Sequence, residues 1–419
     1  MKVDPITLEP DMLGSPTSVQ DASRHASEPT AGQIVHSLVI VGFTHPMRAC
    51  AWRARSAGVR VHLIELVERS RSFVLQSNAF DPDGITLEWS LVGTENGLAA
   101  IQRFAQSVQA DALLTTDDFT LVWLGKHRGV FEPGCRLLAP DPDVLERLWD
   151  KSHQIDRAIL SGFELLPGWT LTAQEVIAAI PDGAFPVVIR PSFLQSAQPS
   201  FKARILHTRK ALSELYSSTH WTYSPIVQRF CLGPNYVLHG VRAQTGELLA
   251  LQLFKGYRKY EGFATSLMPV PLPESLSRAA RRFVEAEGLT GPFHFDLLCS
   301  DADDTFYFLE INCRLGGTTG KVMQLGYDEP GLLLACFNTQ TPHPLPPLRI
   351  YPRTTSIGLN LAQAFNELRN RRDPLAYPQM PRFRSFFAAL SEALFVKDGQ
   401  LDKRDLLAIL RRYFARNEN

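Results

Sequence analysis

Short apolar runs separated by amphipathic stretches set the rhythm of the first third of the chain. SLVIVGF (37–43) has the unbroken hydrophobicity of a buried parallel strand. A helical stretch follows as far as Ala57, Gly58 stops it, and VRVHLIEL (59–66) reads as a second strand. NGLAAIQRFAQSVQA (96–110) reads as a helix, ADALLTTDD (110–118) as a strand ending in acids, and CRLLAP (135–140) as another strand. Such β-α-β alternation predicts an α/β domain, a parallel sheet flanked by helices, over residues 36–142.

The pattern then changes. DVLERLWDKSHQIDRAILSGF (143–163) predicts one long amphipathic helix, capped by Asp143 and closed near Gly162. FPVVIRP, KARILHT, SPIVQRF, NYVLHGVRA and GELLALQLFKGY follow as strand-like runs. A helix over Glu274 to Glu287 precedes two further strands, GPFHFDLLCS and TFYFLEINCR. The mixed order predicts α+β lobes over 143–345, with an antiparallel sheet carrying the later strands. PHPLPPLRIYP is a proline-rich connection, and 346–419 reads as a partly helical extension that includes LDKRDLLAILRRYFARN. Residues 1–35, rich in Ser, Thr, Pro and acids without apolar periodicity, are expected to be a disordered tail.

Composition narrows the function. The 43 basic and 43 acidic side chains cancel, so no surplus points to nucleic acid or an anionic bilayer. No stretch approaches the roughly 18–20 apolar residues that span a membrane. The opening residues place acids and prolines where a signal peptide needs an apolar core. Six scattered cysteines with no CxxC pair argue against structural zinc and for a reducing compartment. The expectation is a cytoplasmic protein acting on small molecules. The first strand is followed by a single Gly42 rather than GxGxxG, so a dinucleotide site is not expected. Neither GxSxG nor a cysteine placed beside a base suggests covalent acyl-enzyme chemistry.

The most informative stretch is GPFHFDLLCSDADDTFYFLEINCRLGG. Alternate strand residues share a face, so Glu310 and Asn312 project together and Ile311 points away. DADDT is a plausible hairpin loop that would bring Asp296 beside them. Two carboxylates and an amide on neighbouring strands suit Mg²⁺, a hard cation that also binds nucleotide phosphates. A merely wet strand face is the plainer alternative. The strand, otherwise apolar from Phe306 to Ile311, weighs against it, because a carboxylate emerging from a buried strand needs a partner.

HFDLL, followed fourteen positions after its Asp by the Glu of FLEINCRLGG, resembles the metal-binding end of the ATP-grasp superfamily. That superfamily includes D-alanine–D-alanine ligase, biotin carboxylase, carbamoyl phosphate synthetase and many amino-acid ligases. The resemblance covers roughly residues 36–345. It implies an ATP-grasp fold preceded by a Rossmann-like, pre-ATP-grasp domain, with the lid at roughly 150–228. It makes Asp296, Glu310 and Asn312 ligands of Mg²⁺, with Mn²⁺ as an alternative, and ATP the nucleotide. Arg314 would hold a substrate carboxylate or the transferring phosphate. Lys151 would reach the ATP phosphates, and Arg190 stands where the family has Lys. SPIVQRFCLG matches the adenine-binding hinge, with Gln228, Arg229, Phe230 and Cys231 lining it, and Asn235 takes the place of the ribose-binding Glu. Lys255 and Arg258 are candidates for a further phosphate contact.

The chain also departs from the family. PSFLQSAQPSF replaces a Gly-rich phosphate-covering loop, leaving Ser192, Ser196 and Ser200 to offer hydroxyls. RLGGTTGKVMQLG, with Gly316, Gly317 and Gly320, is a candidate carboxylate pocket beside Arg314. His294 shares the strand face of Asp296, and Thr44, His45, Asp117 and Asp118 lie at strand ends, where parallel sheets place ligands. The resemblance implies an ATP-dependent ligase joining a small-molecule carboxylate to an amine or thiol, with a homodimer left open. Two alternatives are a non-catalytic ATP-binding sensor or partner subunit, and a phosphotransferase acting on a hydroxyl.

Overall fold

The computed structural model describes residues 32–42, 46–67, 77–192, 197–199, 201, 203–371 and 373–399. The expected tail up to residue 31, together with Thr44, His45, Ser196, Ser200 and the LDKRDLLAILRRYFARN stretch, lies outside the described residues.

The first elements are β1 (Ser37–Gly42), α1 (Pro46–Arg55), β2 (Arg60–Val67), β3 (Ile85–Glu88), α2 (Glu95–Ser107), β4 (Ala112–Thr115), α3 (Asp118–Lys126) and β5 (Arg136–Leu137). Their strands form a parallel sheet of order β3-β2-β1-β4-β5. All of β1 is buried because both faces are covered. Val39, Val41 and Leu113 enter one core, and Leu38, Ile40 and Leu114 enter another. Helix α3 was not anticipated. Asp117 caps it, accepting the Thr120 N–H at 2.8 Å, which turns the acids ending β4 into a helix start.

The single helix expected over 143–162 is two, α4 (Pro142–Trp149) and α5 (Lys151–Ser161). Asp141 rather than Asp143 caps the first, accepting the Asp143 N–H at 2.9 Å. Asp150 is extended, with ψ 115°, and its carboxylate accepts the Ser152 N–H at 2.8 Å. That residue therefore ends one helix and caps the next. Gly162, at φ 92°, closes α5 as expected.

After β6 (Glu164–Leu165) come β7 (Gly168–Thr170), β8 (Val187–Arg190), β9 (Arg204–Leu206), α6 (Arg209–Ser218) and β10 (Ile226–Arg229). An antiparallel sheet of order β9-β8-β10-β7 has its own small core around Leu171, Ile189, Leu212 and Val227.

Further elements are β11 (Asn235–Arg242), β12 (Leu248–Tyr260), β13 (Phe263–Val270), α7 (Glu274–Glu287), β14 (Gly291–Cys299), β15 (Phe306–Asn312), α8 (Thr319–Gln324), α9 (Glu329–Cys336), β16 (Thr354–Thr355), α10 (Ile357–Leu368), α11 (Arg382–Phe395) and β17 (Lys397–Asp398). They build an eight-stranded sheet of order β17-β16-β13-β12-β11-β14-β15-β6. Strand β13 was missed in the sequence, where FATSLMPV mixes polar residues and a proline without regular alternation. One face of this sheet carries Phe293, Phe295 and Leu297 into the core shared with Ala158 of α5 and Phe283 of α7. The other face carries Val237, His239, Phe254, His294 and Asp296, as the cross-strand register requires. Part of that second face is covered by Val322 of α8 and by Leu325 and Tyr327 in the turn that follows it.

Candidate active site

Asp296 of β14 and Glu310 of β15 are direct cross-strand partners, and His294 faces Asn312 one pair further on. The Asn312 amide donates to Asp296 Oδ2 at 3.3 Å. The structure thus brings Asp296, Glu310 and Asn312 to one patch of one sheet face, while Ile311 is buried on the opposite side. A register shift lies beside them: Asp296 pairs with Glu310 but Leu297 pairs with Phe308, which leaves Leu309 outside the ladder. Such a bulge frees a backbone carbonyl at a site. Leu309 O accepts from Arg190 Nη2 at 3.3 Å.

Two cations meet on Glu310. Lys151 Nζ, at the first position of α5, is 2.9 Å from Glu310 Oε2, and Arg190 Nη1, at the end of β8, is 3.9 Å from the same oxygen. Arg190 Nη2 also donates to Gln228 Oε1 at 2.7 Å, so Gln228 joins the cluster. Alternation on β10 turns Arg229 to the other face of its strand, and the structure does not bring it to the cluster. Phe230 lies beside Pro186, whose carbonyl accepts the Phe230 N–H at 2.9 Å. Cys231 is partly exposed at the end of this segment. The Asn235 side chain donates to Gly262 O at 3.1 Å and accepts from Lys259 Nζ at 3.3 Å. It shares the sheet face of Asp296, two residues from the Val237 that opposes Asp296.

Lys255 and Arg258 require correction. Lys255 opposes Tyr236, on the sheet face opposite Asp296, with Nζ 5.8 Å from the Tyr236 ring centre. Arg258 follows a β-bulge and is buried against α10, where it donates to Asn360 Oδ1 at 3.3 Å and Gln363 Oε1 at 3.0 Å. Neither side chain reaches the Glu310 cluster, because strand alternation and an unforeseen bulge set their directions.

Arg314 is held by Asp118 in a two-pronged pair, Nε to Oδ1 at 2.7 Å and Nη2 to Oδ2 at 2.5 Å. The same Nη2 donates to Asn312 Oδ1 at 3.3 Å. Burial opposes its charge, but the Asp118 carboxylate outweighs that effect and holds the guanidinium above its ordinary pKa. The parallel-sheet domain therefore supplies a carboxylate to the edge of the site. The following loop is occupied from within the chain. Gly316 N donates to Thr319 Oγ1 at 2.9 Å, and Thr319 Oγ1 donates to the fully buried Glu329 at 2.5 Å. His294 lies under this loop rather than in the open. Its ring stacks on His239 at 5.2 Å, and a Cβ on Gly316 would come within 2.4 Å of it. Burial first, then His239 and Arg314, pull its pKa well down. Helix α8, which follows, has only six residues.

One positioning residue escaped the sequence reading. Gln154 of α5 is buried and uses its amide on the backbone of β15, with Oε1 accepting Ile311 N–H at 3.1 Å and Nε2 donating to Ile311 O at 3.2 Å. The same Nε2 donates to Leu148 O at 2.7 Å, at the end of α4. Three residues before it on the helix, Lys151 is thereby set against Glu310. The spacing K-x-x-Q was the available signal, but a glutamine on a helix face is ordinary until its partner strand is known.

The arrangement of an antiparallel lid sheet, a larger sheet bearing the carboxylates, and a preceding parallel-sheet domain is the ATP-grasp fold. Solved structures share it. N5-carboxyaminoimidazole ribonucleotide synthetase in its ADP complex superposes with a TM-score of 0.59 at 15% identity, over 80% of this chain and 86% of that one. The biotin carboxylase domain of 2-oxoglutarate carboxylase from Hydrogenobacter thermophilus, a dimer with MgADP, ADP and bicarbonate, gives 0.56 at 14%, over 73% and 70%. L-amino acid ligase from Bacillus licheniformis gives 0.55 at 16%, over 73% and 74%. At these identities the likeness is one of fold. No family model matches the chain, and no curated protein matches it by sequence. Among the described residues no helix is long and apolar enough to cross a membrane.

Proposed function

We propose that this chain is an ATP-dependent ligase that activates a small-molecule carboxylate for attack by an amine or thiol. The observation that carries the reading is the meeting of Lys151 and Arg190, from separate elements, on Glu310, whose cross-strand partner Asp296 touches Asn312. Residues 36–142 would wall the substrate side, 143–345 would hold the nucleotide, and the described part of the extension, 346–399, would close the far end of the large sheet.

Asp296, Glu310 and Asn312 present hard oxygen donors from adjacent strands, a set that fits Mg²⁺ or Mn²⁺. When bound, such an ion would neutralise charge on the nucleotide phosphates. Lys151 and Arg190, now paired with Glu310, are placed to turn towards those phosphates. Arg190 would grip as a flat two-pronged donor rather than a point charge. Arg314, steadied by Asp118, would orient the substrate carboxylate or the moving phosphoryl group. A carboxylate oxygen attacks the γ-phosphorus and ADP leaves, giving an acyl phosphate. The nucleophile then attacks the acyl carbon, phosphate departs with the bridging oxygen, and the nucleophile gives up its proton. Positioning and charge stabilisation supply most of the rate, and no residue need form a covalent bond.

Glu310→Ala should lower carboxylate-dependent ADP release by about 10²-fold or more while circular dichroism shows an intact fold. Wild-type turnover in that variant would sink the reading. The reading of an ATP-binding sensor draws on one observation, that Asn235 is already committed to Gly262 and Lys259. Tight binding of ATP·Mg without stimulated ADP release across broad pools of carboxylates and amines would favour it. Product mass separates ligation from phosphorylation of a hydroxyl.

A further inference from the structure

A cleft of about 770 Å³, lined by residues adjoining Asp118 and Lys151 in sequence, is not used by the proposed nucleotide chemistry. Its walls come from three places: Trp89 in a turn after β3, Phe119 on α3 and Trp149 at the end of α4, with Tyr223 from the lid side. Trp89 and Phe119 lie with ring centres 6.1 Å apart at 46°, and Phe119 and Trp149 at 6.1 Å and 64°. The three rings therefore form one continuous aromatic wall. Gly93, at φ 88°, makes room for it, since a Cβ there would stand 3.3 Å from the Phe119 ring. Phe119 is 40% exposed and Tyr223 57%, unusual for aromatic side chains grouped around one hollow. A volume of this size suits a small molecule.

The cleft is joined to the candidate active site through the chain itself. Phe119 follows Asp118, which clamps Arg314, and Trp149 stands two residues before Lys151, which meets Glu310. Two residues span at most about 7 Å. Its charge is one-sided. Lys126 and Glu146 neutralise one another at 2.8 Å, which leaves the Asp150 carboxylate as the net charge of the described lining residues. Asp150 accepts one N–H, from Ser152, and a carboxylate has further lone pairs to offer. Aromatic faces and a carboxylate together attract a cation attached to a flat apolar body.

We propose that this cleft is the binding site of the amine substrate, and that the amine carries an aromatic ring. The assignment rests on the ligase reading and names the nucleophile class that reading leaves open. The ring lies against Trp89, Phe119 and Trp149, and the amino group faces Asp150 and the Lys151–Glu310 end.

The test uses the full chain without nucleotide, so binding is read apart from turnover. Phenethylamine is titrated by tryptophan fluorescence and calorimetry, with ethylamine and 3-phenylpropionate as controls for ring and charge. Phenethylamine should bind saturably, and each control about tenfold more weakly or worse. Phe119→Leu and Tyr223→Ser, checked for wild-type circular dichroism, should weaken phenethylamine, and Trp149→Ala should weaken it by about tenfold. Absence of saturable binding, a preference for 3-phenylpropionate, or unchanged affinity in all three folded variants would overturn the assignment. Amine binding that persists while no carboxylate pool yields ADP release would instead sink the ligation reading and leave the cleft's ligand class standing.

Discussion

Asp118 and Arg314 meet across 196 positions of sequence, and their two-pronged pair ties the parallel-sheet domain to the segment just after β15. An arginine with four rotatable bonds would otherwise sample many directions, so the pair pre-orients it at little further entropic cost. Asp118→Ala should therefore lower kcat/KM for the carboxylate by about tenfold, while the Kd for ATP·Mg changes less than about twofold. Equal losses in both would mean that Asp118 supports the nucleotide lobes rather than the substrate side. Arg314 was legible in the sequence as part of E-x-N-x-R, and Asp118 only as an acid at a strand end. Their partnership was not, because nothing local records which distant side chain will stand within 3 Å.

Among the elements, the break between α4 and α5 has the largest consequence. Glu287, in the last turn of α7, gathers Arg147 from α4 at 3.3 Å, and His153 and Arg157 from α5 at 2.9 and 2.6 Å. Both halves of the expected single helix are thus pinned to one buried carboxylate, and Lys151 sits at the break between them. Burial alone would raise the Glu287 pKa, but the hydrogen bonds from His153 and Arg157 outweigh it and hold the carboxyl below its ordinary 4.5. A carboxylate with a depressed folded pKa contributes stability that is complete above the unfolded value and is lost as pH falls through the folded one. Glu287→Gln should cost about 2 kcal/mol at pH 7. The gap between variant and wild type, measured as urea midpoints, should close as pH is taken below 4.5. A gap independent of pH would show that packing, not charge, makes the difference. The sequence pattern read through the break because Asp150 fits the polar face of an amphipathic helix as well as it fits a cap.

For the whole molecule, Thr354–Thr355 and Lys397–Asp398, beyond the expected lobes, prove to be part of the large sheet. β16 pairs with β13, β17 pairs with β16, and α10 provides the acceptors for the buried Arg258. A chain ending at residue 345 would leave that guanidinium buried without Asn360 and Gln363, a costly loss for a charged group. Such a truncation should abolish the cooperative thermal transition of the full chain. A cooperative melt at an unchanged temperature would show the lobes to be self-sufficient. The expected extension was legible as helical, yet its two short strands were not, because two-residue strands carry no periodicity.

Local pattern determined β1, β2, β4 and β5 of the parallel sheet, the helix over Glu274–Glu287, the antiparallel strands β8 to β12, β14 and β15, and the shared face of Glu310 and Asn312, since each depends on the pattern within one segment. Tertiary structure alone decided what those segments face. It brought Lys151 and Arg190 to Glu310, turned Lys255 away, buried Arg258, and gave Gln154 the backbone of Ile311. The physical reason is that alternation specifies two sides of a strand, whereas only packing against other elements, and the bulges that packing induces, specifies which side holds the chemistry.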